Sequence, residues 1–558
     1  MLTSPEDNLI QIYERSFRQN WDLKAVTDYG TTYSLTYGQL AEEIWKYHRL
    51  FKNNGVKKGD KIALMGRNNV HWVTIYLSTI TYGAIIVPVM QDFTPDDALH
   101  IFNHSESIML FITDQIWESL DMEQMPKMKV VYSLTNLKTL AVRNAIPKKE
   151  FSYAEEEFRA EYPNGMKPED VVYDKRENSE VLSINYTSGT TGYSKGVITP
   201  CNAMAGNIKL AFQSGLVFPG CRHVAFLPLA HAYGCAFDFM SCLAAGGHAN
   251  LIGRTPAAKV LLQAFAEVKP TTILSVPLIL EKIYKKLIVP QISKPPVSWV
   301  LKVPGLDEIV LSKIRETLVN AFGGAFREVI IGGAPLNAEV EAFLKRIKFP
   351  LTVGYGMTEC APLIAYTDYE HFKTYSCGRA LDGLMEARIS KPDADGVGEI
   401  ETRGENVMLG YYKNREATKD AFTKDGWLKT GDLGLIDEDG FIFIKGRSKT
   451  MLLGPNGQNI YPEEIEEKLN NMPYVNESLV IQSGSKLIAL VYPDMEALDN
   501  SGIEQENVPE EMEKIRKELN TRLAAYEQIT KIKIHNQEFE KTPKKSIKRF
   551  LYTSMGED

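Results

Sequence analysis

At 558 residues the chain is too long for one ordinary domain, and length alone predicts two to four. Hydrophobic residues make up 44% and charged residues 24%, the balance of a soluble globular protein and not of a disordered or fibrous one. The net charge of −8 argues against a nucleic-acid binder, although it leaves room for a local basic patch.

The N-terminal stretch MLTSPEDNLIQIYERSFRQN is polar from the start, so no signal peptide is expected. DKIALMG (60–66) reads as a buried strand, 70–82 as a helix, AIIVPVM (84–90) as a strand, 95–104 as a helix and IMLFIT (108–113) as a strand. This βαβαβ order implies a parallel sheet with helices on its faces. Within it, WVTIYLSTITYGAIIVPVM (72–90) carries no charge and imitates a membrane span. Gly83, Pro88 and several hydroxyl side chains interrupt it, so a buried helix followed by a buried strand explains it better.

EVLSINY (180–186) is the next strand, and it runs into YTSGTTGYSKGV (186–197). Glycines let main-chain N–H groups approach anionic oxygens, hydroxyls add donors, and Lys195 adds charge. The composition suggests phosphate, but the spacing is not that of a P-loop. A flexible surface loop is the alternative. TTILSV (271–276) with a helix at 277–288, then REVIIGG (327–333), a helix at 337–346 and LTVGYG (351–356), repeat the α/β unit. Ligands of open parallel sheets bind beyond the carboxyl ends of strands, where both the 186–197 loop and GYGMTE (354–359) fall.

After about 380, short β segments and turns predict a small antiparallel unit closing the large domain. Beyond Arg447 a helix at 462–471, strands near 476–482 and 486–492, and a polar, acid-biased insert over 494–511 are expected. Met512, Ile515, Leu519, Leu523 and Tyr526 follow helical spacing. These patterns divide the chain into 1–447 and 448–558. Six cysteines (201, 221, 235, 242, 360, 377) form no C-x-x-C pair and no Cys/His cluster of zinc spacing, which fits a reducing, cytoplasmic setting.

YTSGTTGYSKGV (186–197), PLAHAYG (228–234), IGGAPL (331–336), GYGMTE (354–359), RGENVMLGYY (403–412), GWLKTGDLG (426–434) and GFIFIKGRSKTMLLGPNGQNIYPEEIE (440–466) occur in one order along the chain. Together they resemble the adenylate-forming acyl-CoA synthetase superfamily, and the overall run looks like its long-chain fatty acid–CoA ligase branch. The resemblance covers nearly the whole chain. It implies an α/β fold: a large N-terminal AMP-binding domain of doubly wound sheets with a small β unit, plus a small mobile C-terminal α+β domain. It also implies ATP- and Mg²⁺-dependent conversion of a carboxylic acid, a medium- or long-chain fatty acid in this branch, to acyl-AMP. Transfer to CoA then gives the thioester. Two rivals are an enzyme that passes its adenylate to a carrier-protein thiol and a degenerate nucleotide-binding scaffold without turnover. No nucleic-acid partner is expected; peripheral membrane contact and oligomeric state stay open.

By this resemblance Thr187, Ser188, Gly189, Thr190, Thr191, Gly192 and Lys195 hold the β- and γ-phosphates. Tyr355 stacks on adenine beside Gly356, Gly333, Ala334 and Pro335 line its other face, Thr358 donates to the α-phosphate, and Glu359 holds Mg²⁺. Asp432 accepts the ribose hydroxyls, and Arg447 reaches ribose or phosphate, with an interdomain ion pair as its alternative. His231 is a gate between the ATP and acyl pockets or a packed core histidine; Tyr233 and 235–249 line an acyl tunnel or simply pack. Lys449 falls at the hinge, and Gly457 with NIYPEEIE faces CoA or forms a β-turn and helix start.

One departure stands out. The family places its adenylation lysine in T-P-x-x-K-[IL]-x-R, whereas this chain reads TPKKSIKR (542–549), with Ser546 at the lysine position. Either Lys545 serves, with Lys544 or Lys548 as substitutes, or the adenylation step is compromised. A lysine stem is long and flexible enough to cover a shift of about one 3.8 Å Cα step.

Overall fold

The computed structural model describes residues 8–144, 149–187, 194–253, 257–292, 295, 297–300, 307–454, 458–484, 486–542 and 546–556. Two compact units arise by contact density. The first holds 1–187, 193–387 and 402–428; the second holds 188–192, 388–401 and 429–558.

The first unit is mixed α/β. Its eight-stranded sheet runs Gly410–Tyr411, Lys195–Pro200, Val181–Thr187, Ile85–Val89, Lys61–Met65, Met109–Ile112, Val130–Ser133, Thr139–Val142. The five strands from 181–187 to 130–133 are parallel, and the outer ones are antiparallel. Ala63, Met65, Val87, Val89, Leu110, Ile112 and Ile184 form part of one buried core with Ile101 and Phe102 of the Pro95–Ser105 helix. A second sheet, Arg222–Ala225, His248–Leu251, Lys24–Asp28, Ser34–Thr36, and a parallel three-stranded sheet, Ile273–Ser275, Val329–Ile331, Leu351–Val353, complete the α/β scaffold.

The uncharged 72–90 segment is the expected helix and strand. The helix Val70–Tyr82 starts on the Asn69 cap and stops at Gly83, whose φ of +91° suits only glycine well. Among the described residues no helix is long and apolar enough to cross a membrane. The expected strand 351–356 is two. Leu351–Val353 stays in the parallel sheet, while Tyr355–Gly356 joins an antiparallel sheet with Leu363–Tyr366 and Arg379–Ala380. The switch falls at Gly354, whose N–H still bonds Ile331.

In the second unit Leu428–Ile436 and Ile442–Arg447 form an antiparallel ladder in a four-stranded sheet. Val475–Ser483, Lys486–Pro493 and Ile529–Ile534 form a three-stranded sheet. Ile465, Leu469, Met512, Ile515 and Leu519, from the helices Pro462–Asn470 and Val508–Asn520, bury against it. One expectation gains detail and one needs correction. The insert at 494–511 contains a capped helix, Met495–Asn500, with Leu498 fully buried. The 512–526 periodicity overruns its helix, which ends at Asn520. There the Asn520 amide bonds both the N–H and the carbonyl of Ile529 and ties the helix end to the next strand. Leu523 is still buried, but Tyr526 is exposed.

Candidate active site

Thr187 pairs with Lys195 across two antiparallel strands, so the two ends of the glycine-rich loop lie side by side. Ser188, Gly189, Thr190, Thr191 and Gly192 fall outside the described residues, as do Gly457 and Lys545. Lys195 is exposed, and among the described residues it makes no ion pair. Its ammonium lies 4.9 Å from the centre of the Tyr411 ring, a cation–π distance. Tyr411 comes to this position because 410–411 pairs with the 195–200 strand, Tyr411 opposite Val197. At the edge of the ring the Tyr411 hydroxyl donates to Glu359 Oε1 at 2.9 Å. Burial pushes the phenol pKa well up, and the Glu359 carboxylate adds to this, so the hydroxyl keeps its proton.

Glu359 is half-buried at the start of a 3₁₀ turn, Thr358–Cys360, and its carbonyl accepts from the Met408 N–H. Among the described residues Tyr411 engages one of its carboxylate oxygens, and the other is the atom that would bind a hard cation. A carboxylate oxygen is the ligand type Mg²⁺ takes. Thr358 is buried, and Tyr355 is only 6% exposed, so most of that ring packs in the protein. Gly356 is required by backbone contact alone: a Cβ there would sit 2.2 Å from the Pro362 carbonyl oxygen. Gly333, with φ of +87°, Ala334 and Pro335 are exposed.

His231 is half-buried at the N-terminus of a short helical turn, where Nδ1 accepts from the Tyr233 N–H at 3.3 Å. That bond places the neutral ring's proton on Nε2. Tyr233 is core: it is buried, its hydroxyl donates to the Ile330 carbonyl at 3.0 Å, and its ring sits where a Cβ on Gly332 would be. The 235–249 stretch is a π-helical turn, Cys235–Ser241, then a short helix and the His248–Leu251 strand.

In the second unit Asp432 and Arg447 stand opposite each other in the ladder, and Arg447 Nε meets Asp432 Oδ1 at 2.9 Å. Arg447 also donates to the Thr430 carbonyl. Arg447 is thus ion-paired, but with Asp432 of the same unit and not across a domain boundary. Lys449 is exposed in a tight turn, Met451 N–H bonding the Arg447 carbonyl. Near the C-terminus Thr542 N–H bonds Ser546 carbonyl, Lys541 bridges to Ile547, and Lys548 lies 3.5 Å from Glu540. Ser546 is exposed, and Arg549 pairs with Glu466 and Glu463.

Sequence reasoning missed Tyr411. It lies in RGENVMLGYY, where the neighbouring glycine marks an edge pairing but nothing in the spacing reports contact with residue 359. It also missed a buried Cys221, His223 and Cys242 cluster whose members are too scattered for any zinc spacing.

A mixed α/β unit with a glycine-rich hairpin, an adjacent lysine and acid, and a smaller second unit define the class. The AMP-binding enzyme model matches residues 13–412, and the C-terminal domain model of AMP-binding enzymes matches 450–555. The chain belongs to the AMP-binding enzyme family, and within it to the adenylate-forming acyl-CoA synthetases. It is 28% identical to the long-chain-fatty-acid–CoA ligase FadD15 of Mycobacterium bovis over 478 residues, covering 80% of this chain and 75% of that protein. The fold matches ATP-bound MatB from Rhodopseudomonas palustris with a TM-score of 0.77 at 21% identity, over 99% of each chain. It also matches o-succinylbenzoate–CoA synthetase MenE from Bacillus subtilis in complex with ATP and magnesium, with a TM-score of 0.73 at 20% identity, over 97% of this chain and 98% of that one.

Proposed function

We propose that the protein activates a medium- or long-chain fatty acid with ATP and passes the acyl group to CoA. The observation that carries this reading is the Lys195–Tyr411–Glu359 arrangement beside the glycine-rich hairpin. In the first half-reaction a carboxylate oxygen of the acid attacks the α-phosphorus, and the bond to pyrophosphate breaks. Negative charge grows on the leaving phosphates, and a preorganised cation is most effective there. Lys195, with Thr187 and the loop residues Ser188 to Gly192, fills that role. Glu359 would hold Mg²⁺, which neutralises phosphate charge when bound; Thr358 donates to the α-phosphate. Tyr411 sits between the cation and the acid and holds the carboxylate in place.

Tyr355, Gly356, Gly333, Ala334 and Pro335 surround the adenine, and Asp432 with Arg447 takes the ribose. Lys545 acts as the adenylation lysine in place of Ser546. In the second half-reaction the CoA thiol attacks the acyl carbonyl, AMP leaves with the C–O bond, and the thiol proton passes to solvent. Gly457 lies on the CoA side, His231 gates the acyl pocket, and Lys449 is the hinge at which 448–558 turns relative to 1–447. Free thiols at all six cysteines support a reducing, cytoplasmic setting.

The test is thioester formation from ATP, CoA and a panel of carboxylic acids of increasing chain length, with single-turnover acyl-AMP formation followed alongside. Medium- and long-chain acids should give acyl-CoA. Lys545→Ala should slow acyl-AMP formation more than Lys544→Ala or Lys548→Ala, while thioesterification of supplied acyl-AMP survives. Acyl-AMP without any CoA thioester would defeat the reading. An unimpaired Lys545→Ala combined with faster adenylation by Ser546→Lys would reassign the lysine.

A further inference from the structure

The strand Arg222–Ala225 and the helical segment 235–244 bracket the loop that carries His231. Cys221 and His223 stand at the start of the strand; Asp238 and Cys242 lie on the helical side. Among the described residues, the ligand atoms of Cys221, His223 and Cys242 all fall within 4.8 Å of one another, and all three residues are buried. His223 Nδ1 faces Asp238 Oδ1 at 3.4 Å, with both side chains 1% exposed. That leaves Nε2, a buried nitrogen with no well-formed hydrogen bond, its ring interacting otherwise only with the Cys221 thiol. A buried polar atom of this kind costs free energy unless something binds it. Both sulfurs press on the backbone of Gly247, where a Cβ would lie 2.4 Å from Cys221 Sγ and 2.7 Å from Cys242 Sγ. The thiols thus converge on one point from two elements.

We propose that Cys221 Sγ, Cys242 Sγ and His223 Nε2 bind a thiophilic divalent cation, Zn²⁺, in a structural site. Tetrahedral Zn²⁺ with Zn–S bonds of about 2.3 Å needs sulfurs roughly 3.8 Å apart. The ligand atoms already lie within 4.8 Å of one another, about 1 Å from that value at most. Asp238 is a positioning residue: a carboxylate on the far nitrogen of a ligating histidine fixes its tautomer and orientation. Charge favours a divalent ion. With the two thiolates, a neutral imidazole and the Asp238 carboxylate, Zn²⁺ brings the buried cluster to −1, whereas a monovalent ion would leave −2. Both thiol protons leave to solvent on binding, and water fills the fourth position. The ion clips the strand to the helical segment and so fixes both ends of the His231 loop. The site is independent of ATP, acid and CoA, and it holds or fails whatever the substrate proves to be.

The experiment uses the full chain, purified with a phosphine reductant. Elemental analysis should find about one Zn²⁺ per chain, and little in Cys221→Ser or Cys242→Ser, since metal loading and folding are coupled. Co²⁺ exchanged into the wild type should show thiolate-to-metal charge transfer and tetrahedral d–d bands. Asp238→Asn should keep the ion but weaken it about 10–100-fold against a chromophoric chelator. Should the serine variants fail to fold, the wild-type Co²⁺ spectrum decides, because it needs no variant. Reduced wild type that takes up neither ion overturns the proposal. So does a Cys221–Cys242 disulfide that excludes metal, or Zn²⁺ retained in both serine variants.

Discussion

Each unit sets a cation beside an acid by antiparallel strand pairing, yet the outcomes differ. In the first unit Tyr411 links Lys195 and Glu359: the ammonium lies on its π-face and the carboxylate accepts its hydroxyl. Neither charge is cancelled. In the second unit Arg447 and Asp432 are register partners and bond directly. The guanidinium is 57% exposed and the carboxylate 9%, so the acid is fixed by the fold while its partner can swing away. An aromatic spacer keeps two charges poised for a charged ligand. A direct pair stores them until a ligand competes for one.

The largest effect should come from the poised charge. Lys195→Ala should slow acid-dependent ATP–pyrophosphate exchange by about 10²–10³-fold, the scale of one preorganised electrostatic contact. Tyr411→Phe keeps the ring under Lys195 but removes the hydroxyl. It should cost less, about 10-fold, with greater dependence on Mg²⁺ concentration. If Tyr411→Phe matched Lys195→Ala, the ring would not be a mere spacer and the contrast between the units would fail.

The stored pair should respond more mildly. Asp432→Asn should raise the KM for ATP by about 10–100-fold, the range for a hydrogen bond to a charged group. Arg447→Ala should raise it less. The double variant should fall short of the product of the singles, because the two groups share one contact. Altered thermal stability with an unchanged KM in all three would make the pair purely structural.

What could be read from the sequence follows from how locally each feature is encoded. The helix Val70–Tyr82 and strand Ile85–Val89 were legible because a continuous apolar run and Gly83 write both elements and their break into adjacent residues. The helix Pro277–Leu287 lies where a helix over 277–288 was expected after the TTILSV strand. The end at Asn520 was not, since its cause is a side-chain bond to Ile529 beyond the helix. The strand switch at Gly354 was hidden because alternation looks the same in either sheet. Lys195 and Glu359 could be named as candidates, but their contact through Tyr411 depends on the pairing of 410–411 with 195–200. The Cys221, His223 and Cys242 cluster was invisible for the same reason: the Arg222–Ala225 strand and the helical segment meet only in the fold.

The smallest effect concerns the anchor of the C-terminal run that contains Ser546. Glu466 is buried on the Pro462–Asn470 helix, accepts from the Val480 N–H at 2.6 Å and pairs with Arg549. Burial pushes its pKa up from 4.5 to about 7, against the opposing pull of Arg549. A folded-state pKa above the unfolded one means that the folded chain holds the extra proton more tightly. The stability this contributes is complete below pH 4.5 and is lost as pH rises through about 7. The size is on the order of 3 kcal/mol. Hydrogen exchange across 475–493 reads it, because the Val480 amide is itself bonded to the acid. Protection in the wild type should fall between pH 5 and 7.5 more than the ordinary base catalysis of exchange accounts for. Glu466→Gln, which keeps the shape without the titration, should remove that excess. A wild type with no excess loss in this window would mean that Arg549 holds Glu466 ionised throughout. The C-terminal run would then be anchored by a full ion pair, making the second unit's buried acid a stored charge like Asp432.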